Sequence, residues 1–166
     1  SAMFDIDMNC DQQKIGNQTV SGLKTEFKKL AAVNTVKAQG SLNGTFHLIF
    51  DKDGLFTLAG VIVMLPEQRI MENRRKGAAK EAEEMSDAFG EAGNLLVGSW
   101  DRIFRENLER HGHFIQTNTF IGNPWNNSEK NIGLADNTEI VFVPYQMTIG
   151  SYPAFNCGVI FPQTIF

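Results

Sequence analysis

The sequence predicts an α+β fold in which helices pack on an antiparallel sheet. Short β-rich apolar stretches stand before and after a central helical region, and one helix of that region has a broad apolar face. The 166 residues are enough for one domain with a sizeable core. We therefore expect a single globular domain overall, with a polar N-terminal segment at 1–40 and the main part at 41–166.

The predicted elements begin with a short helix at 23–33 in the polar segment. Its apolar residues recur at helical spacing: Leu23, Phe27 and Leu30. From residue 45 the pattern changes to a strand at 45–50, a tight turn at 51–54 and a longer strand at 55–65. The two aspartates of the turn also resemble the start of a calcium loop. The later ligands of such a loop are missing, which favours the hairpin turn.

Helices are predicted to follow this second strand. Pro66 ends the strand and begins a helix at 67–75. The basic trio Arg74-Arg75-Lys76 is either an anion-binding patch or, more ordinarily, favourable positive charge at a helix end. A longer helix is predicted from about 78 to 110, with a kink or break near Gly90 to Gly93. Further strands are predicted at 114–121, 139–144 and 155–162, with a loop at 122–137.

Charge and composition exclude several classes of function. Fifteen basic and nineteen acidic side chains leave a net charge of −4, which is the wrong sign for a protein that neutralises nucleic-acid phosphates. The longest apolar run, at 58–65, is too short to insert across a membrane, so we expect a cytoplasmic protein. Cys10 and Cys157 lack the spacing of a metal site, and no metal is expected.

The long helix has two different faces when its residues are placed at intervals of ~100°. The apolar arc, expected to face the core, comprises Met85, Ala88, Phe89, Ala92, Leu95, Leu96, Trp100 and Ile103. The opposite stripe comprises Asp87, Glu91, Asn94, Gly98, Asp101 and Arg105. Glu91 and Asn94 lie one turn apart and can reach the same point outside the helix. Spacing alone leaves open whether this stripe is a solvated surface or a docking surface.

The residues around this pair resemble a known family. The stretch SDAFGEAGNLLVG at 86–98 contains Glu-x-x-Asn, and GVIVMLP at 60–66 ends a predicted strand in proline ahead of it. Both features resemble the CheX/CheC/FliY-type chemotaxis phosphatases, over roughly residues 55–105. Because the chain contains a single Glu-x-x-Asn, it most resembles the CheX branch.

The resemblance implies a CheC-like fold and hydrolysis of the phospho-aspartate on a CheY-like receiver domain. An acyl phosphate is already activated, so its hydrolysis needs mainly a water in line with phosphorus. Asn94 is then expected to position the water, and Glu91 to pair with a lysine of the receiver. The rest of the stripe is expected to bind the partner: Asp87, Gly98, Asp101 and Arg105. The chain is expected to have no cofactor of its own, with Mg²⁺ supplied by the receiver.

A non-catalytic adapter, like the flagellar-switch relatives, is the alternative function. Burial of Glu91 and Asn94 would favour that alternative. The resemblance and the many strand-like segments also predict a homodimer, because exposed sheet edges need protection. His111 and His113 are ligand or acid–base candidates that more ordinarily cap a helix end. His47 is expected to point outward from its strand.

Overall fold

The computed structural model describes residues 8–25, 27, 30–39, 44–107, 112–125 and 127–163. The strands are β1 Met8–Gln12, β2 Gly16–Thr19, β3 Ala31–Ala38, β4 Gly44–Asp51, β5 Phe114–Gly122, β6 Glu139–Ile149 and β7 Phe155–Pro162. The helices are α1 Lys52–Ile62, α2 Glu67–Lys76, α3 Ala79–Glu84, α4 Ser86–Asn107 and α5 Ser128–Ile132, with a 3-10 turn at Val20–Thr25. None of the described helices combines the length and the apolar composition of a membrane-spanning segment.

The seven strands of the described chain form one antiparallel sheet in the order β1-β6-β7-β4-β3-β5. Strand β2 pairs with β6 beyond the end of β1, so β1 and β2 follow one another along the same neighbour. The predicted α+β class, with helices on an antiparallel sheet, is confirmed.

Both faces of the sheet are covered by apolar layers. On one face, α1 and α4 bury their apolar residues against Phe46, Leu48 and Phe50 of β4. On the other face, the 3-10 turn and the segment that contains α5 bury Leu23, Trp125 and Ile132 against the sheet. The indole N–H of Trp125 donates a hydrogen bond to the carbonyl of Phe27. The central strands are therefore buried on both sides.

The strand predicted at 55–65 is wrong, because most of these residues lie in α1. Asp51, predicted to lie in a hairpin turn, is instead the N-cap of α1, and its carboxylate accepts a hydrogen bond of 2.8 Å from the N–H of Gly54. Residues 54–60 are all buried, since α1 packs on several sides. An uninterrupted apolar run has no helical periodicity, so its pattern does not distinguish a buried helix from a buried strand.

The helix predicted at 23–33 is also wrong. The 3-10 turn ends at Thr25, and β3 begins at Ala31. Within the segment 1–40, the described residues contain β1, β2 and β3. Leu23 and Phe27 are buried together, so their spacing reflects packing of a single turn rather than a long helix.

The remaining helices and strands agree with the sequence more closely. The helix at 67–75 is confirmed as α2, and the strands at 114–121 and 155–162 are confirmed as β5 and β7. The strand at 139–144 is confirmed and extends to Ile149. The long helix of 78–110 is divided at Met85 into α3 and α4, before the predicted break at Gly90 to Gly93. Its predicted end, including His111, lies outside the described residues.

His47 is buried with 2% of its surface exposed, so the predicted outward position is wrong. It lies on the β4 face that also carries Ile49, and the α5 segment covers that face. Neither ring nitrogen has a well-formed hydrogen bond within the described residues. Burial lowers the pKa of His47 to about 4, and the backbone of Ile132 opposes this shift only in part.

Arg74 connects three elements and is not part of an exposed basic patch. Its guanidinium donates to the Thr57 hydroxyl at 2.9 Å, the Pro153 carbonyl at 2.8 Å and the Ala154 carbonyl at 3.2 Å. The side chain is nearly buried, whereas Arg75 and Lys76 are exposed. Arg74 therefore ties α2 to α1 and to the segment before β7.

Candidate functional site

Helix α4 packs its apolar side on the sheet as predicted. Phe89 and Ala92 are fully buried, and Leu96 is nearly so. The ring of Phe89 meets that of Phe50 edge-on, with 5.3 Å between the ring centroids. These contacts determine the rotation of α4, so the residues on its opposite side face away from the sheet.

Glu91 and Asn94 are both exposed on that opposite side. Because they are three residues apart in a helix, their side chains lie on the same side of it, one turn from each other. Asp87 and Gly98, one turn before and one turn after this pair, are exposed as well. Four of the six residues of the predicted polar stripe therefore form a continuous accessible surface, which we call the motif face: Asp87, Glu91, Asn94 and Gly98.

Gly98 within the motif face and Leu95 beside it affect how closely another molecule can approach this surface. A Cβ atom built on Gly98 would meet nothing within 4 Å, so a partner can approach the helix backbone there. Leu95 departs from its predicted core position and is 39% exposed. It follows Glu91 by one helical turn and places an apolar side chain beside the carboxylate. The motif face and Leu95 thus bring together a carboxylate, a carboxamide, an apolar side chain and an accessible stretch of helix backbone.

The last two residues of the predicted stripe differ from the others. Asp101 accepts a hydrogen bond of 2.7 Å from the N–H of Phe114, and its other carboxylate oxygen lies 3.7 Å from Nδ1 of His113. Its side chain is 15% exposed. Asp101 therefore attaches α4 to the start of β5, and its role in partner binding stays a prediction. The side chain of Arg105, like those of Trp100 and Ile103, lies outside the described part.

A polar layer, of which Asn34 is buried and the other two residues are half-buried, lies between α4 and the sheet behind the motif face, and sequence reasoning missed it. It comprises Asn34 of β3 with Gln116 and Thr119 of β5. The Thr119 hydroxyl lies 2.9 Å from Oδ1 of Asn34, and Nε2 of Gln116 donates a 3.0 Å hydrogen bond to the carbonyl of Gly90. The available signal was the presence of Gln116 and Thr119 within a β-rich strand.

The described residues contain no group of three or more histidine, cysteine, aspartate or glutamate side chains placed to hold a metal ion. His113 is exposed and lies near Asp101, as an ordinary helix-end contact would place it. The thiol of Cys157 is buried in the sheet. The motif face itself presents a carboxylate and a carboxamide, groups that accept and donate hydrogen bonds.

No protein-family model and no curated protein match the sequence. Solved structures of similar architecture do match. FliY from Thermotoga maritima has a TM-score of 0.76 at 17% identity, over 98% of this chain and 80% of that chain. FliM from H. pylori, in a complex with SpeE, has a TM-score of 0.66 at 10% identity, over 99% of this chain and 78% of that chain. The chain has the fold of these FliY and FliM structures.

A CheX structure is similar as well. CheX from Borrelia burgdorferi, in a complex with CheY, BeF3 and Mg²⁺, has a TM-score of 0.51 at 17% identity, over 92% of this chain and 83% of that chain. The predicted resemblance to the CheX/CheC/FliY-type proteins is therefore confirmed at the level of the fold. By overall shape the chain is more similar to this FliY than to this CheX, and membership of the CheX branch stays a prediction.

Proposed function

We propose that this protein removes the phosphoryl group from the phospho-aspartate of a CheY-like receiver domain. The observation that carries this proposal is the exposure of Glu91 and Asn94, side by side, on a helix whose other side is fixed to the sheet. Their exposure also argues against the adapter, for which we expected burial of the pair. The crystal structure of a CheX of similar fold with CheY supports the class of partner.

Asn94 supplies the chemistry of the proposed reaction. Hydrolysis of an acyl phosphate needs a water in line with phosphorus and stabilisation of the equatorial oxygens. The carboxamide oxygen of Asn94 accepts a hydrogen bond from that water, and its NH₂ group donates nearby. A carboxamide carries no net charge, so it approaches the phosphoryl group without the repulsion that a carboxylate would meet.

Glu91 acts in docking. Its carboxylate lies one turn from Asn94 and pairs with a lysine near the phosphorylated aspartate, which fixes the register of the two proteins. Asp87, Leu95 and Gly98 surround the pair and provide the remaining contact surface. Mg²⁺ belongs to the receiver, where it neutralises phosphate charge. This function also implies a location in the cytoplasm.

The proposal is tested with a panel of receiver domains phosphorylated on aspartate in the presence of Mg²⁺. The protein is expected to accelerate loss of the phosphoryl group from at least one receiver above that receiver's own rate. A matched control is Asn118→Ala, which removes an exposed asparagine from β5 instead of α4. Absence of acceleration for every receiver, including those that bind, would overturn the proposal.

A non-catalytic adapter is the second candidate. It is favoured by the similarity to FliM, whose TM-score of 0.66 is higher than the 0.51 of CheX. An adapter can bind a receiver but leaves the lifetime of the phosphorylated receiver unchanged. The receiver panel therefore separates the two candidates, provided that binding and phosphate loss are both measured.

A further inference from the structure

The turn of α4 from Gly90 to Asn94, which we call the motif turn, lies close to the sheet. Gly93, between Glu91 and Asn94, is buried, and a Cβ atom built on it would overlap the carboxamides of Gln116 and Asn34. A Cβ built on Gly90 would lie 3.6 Å from the Thr119 hydroxyl, at ordinary contact distance. The glycine at 93 therefore lets the helix backbone pack directly on the polar layer.

Gln116 makes a specific contact with this turn. Its Nε2 donates to the carbonyl of Gly90 at 3.0 Å. In an α-helix the carbonyl of residue 90 is also the acceptor for the backbone N–H of residue 94, which here is Asn94. Gln116 is thus bonded to the same oxygen that anchors the backbone of Asn94.

The polar layer is poorly explained by stability alone. Nδ2 of Asn34 and Oε1 of Gln116 are buried and have no hydrogen-bond partner within the described residues. Both atoms face Gly93 from the sheet side. Apolar side chains of similar size would fill this space without leaving a donor and an acceptor unsatisfied. Unsatisfied buried groups of this kind call for an explanation, and a functional site is a common one.

We propose that Gln116 is a positioning residue for Asn94, supported by Asn34 and Thr119. Its hydrogen bond to Gly90 fixes the depth and rotation of the motif turn, and so the direction in which the Asn94 carboxamide points. The hydrogen bond between Thr119 and Asn34 holds the polar layer in place beneath the turn. This inference rests on the proposed phosphatase function, because it concerns the orientation of the Asn94 carboxamide that positions the water.

The test compares Gln116→Leu and Gln116→Glu with the control Thr117→Val. Leucine removes the donor, and glutamate keeps the shape but, when ionised, has no N–H for the Gly90 carbonyl. Thr117 is the exposed neighbour in β5, and its hydroxyl donates to the Thr35 carbonyl instead of to α4. We expect both Gln116 variants to lower kcat for receiver dephosphorylation about tenfold with little change in KM, and the control to match the unmodified protein.

A second measurement does not depend on activity. Amide hydrogen exchange at Gly93 and Asn94 should become faster in both Gln116 variants and stay unchanged in Thr117→Val. Thr119→Val offers a milder change if Gln116→Leu does not fold, and it should lower kcat in the same direction by a smaller factor. Unchanged exchange or an unchanged kcat in the Gln116 variants would overturn the positioning role. A different result would overturn the proposed function instead. In that case the unmodified protein shows no phosphatase activity, while amide exchange is still faster in the Gln116 variants.

Discussion

Gly93 and Gly98 are two glycines of α4 with opposite surroundings, so the same substitution should have opposite effects on stability. Gly98 faces open space, and alanine there removes the unfavourable helix propensity of glycine, worth about 1 kcal/mol. Gly98→Ala should therefore increase the free energy of unfolding by about that amount. Replacing Gly93 by alanine gives the same gain in helix propensity, but the structure has no space for the added methyl group.

The cost at Gly93 follows from what the methyl group displaces. It would overlap the carboxamides of Asn34 and Gln116, and overpacking of a well-packed core costs about 1–3 kcal/mol. Moving Gln116 also breaks its hydrogen bond to Gly90, at a further cost of about 1 kcal/mol. After subtraction of the propensity gain, Gly93→Ala should lower the free energy of unfolding by about 2 kcal/mol. The two variants should then differ by about 3 kcal/mol.

Urea unfolding followed by circular dichroism measures this difference directly. For a domain of this size, 1 kcal/mol corresponds to a shift in Tm of about 2–4 °C, so thermal unfolding gives an independent check. If Gly93→Ala were as stable as Gly98→Ala, the close contact between α4 and the polar layer would be wrong. The positioning role of Gln116 would then lose its structural basis.

Three further predictions concern acid stability, a buried arginine and docking, and a fourth concerns assembly. The pKa of His47 is lowered to about 4 in the fold, against an ordinary 6.5, so protonation favours the unfolded chain and stability is lost as the pH falls through this range. Between pH 7 and pH 4, the free energy of unfolding should fall by about 3 kcal/mol more in the unmodified protein than in His47→Leu. Equal decreases for the two proteins in urea unfolding would refute this. Arg74→Lys should destabilise the protein by about 1–3 kcal/mol, because lysine cannot make the same set of hydrogen bonds, while exposed Arg75→Lys should change little in the same assay. Glu91→Ala should weaken receiver binding by about 1–3 kcal/mol in a calorimetric titration, and unchanged affinity would remove its docking role. Sedimentation should show a homodimer, because β5 ends the sheet with no further strand beside it in the described residues, and a concentration-independent monomer would exclude it.

The sequence predicted the features of the fold that depend on one-sided burial. Helix α4 has a solvent side and a core side, so its periodicity identified both Phe89 as core and Glu91 with Asn94 as exposed. Strand β5 also has an exposed side, and it was predicted within one residue of its observed end. Such an amphipathic pattern can be recognised in a single sequence because one side of the element contacts water and carries polar residues.

Elements buried on all sides were the ones that the sequence did not identify. Seven consecutive buried residues at 54–60 hide the period of α1, and β3 begins with four consecutive buried residues from Ala31. His47 alternates correctly in β4, but the α5 segment covers the face that alternation predicts to be exposed. The polar layer of Asn34 and Gln116 forms only where β3, β5 and α4 pack together. No local sequence pattern predicts this tertiary contact.

The most direct test of the proposed function is the rate of single-turnover dephosphorylation with and without the Asn94 carboxamide. The protein is held at saturating concentration over its best phosphorylated receiver, so that binding no longer limits the rate. We expect Asn94→Ala to slow the chemical step by roughly 10²-fold, in line with the loss of one preorganised polar group, while Asn118→Ala keeps the original rate. If Asn94→Ala dephosphorylates the receiver as fast as the unmodified protein, Asn94 does not position the water, and the adapter becomes the better account.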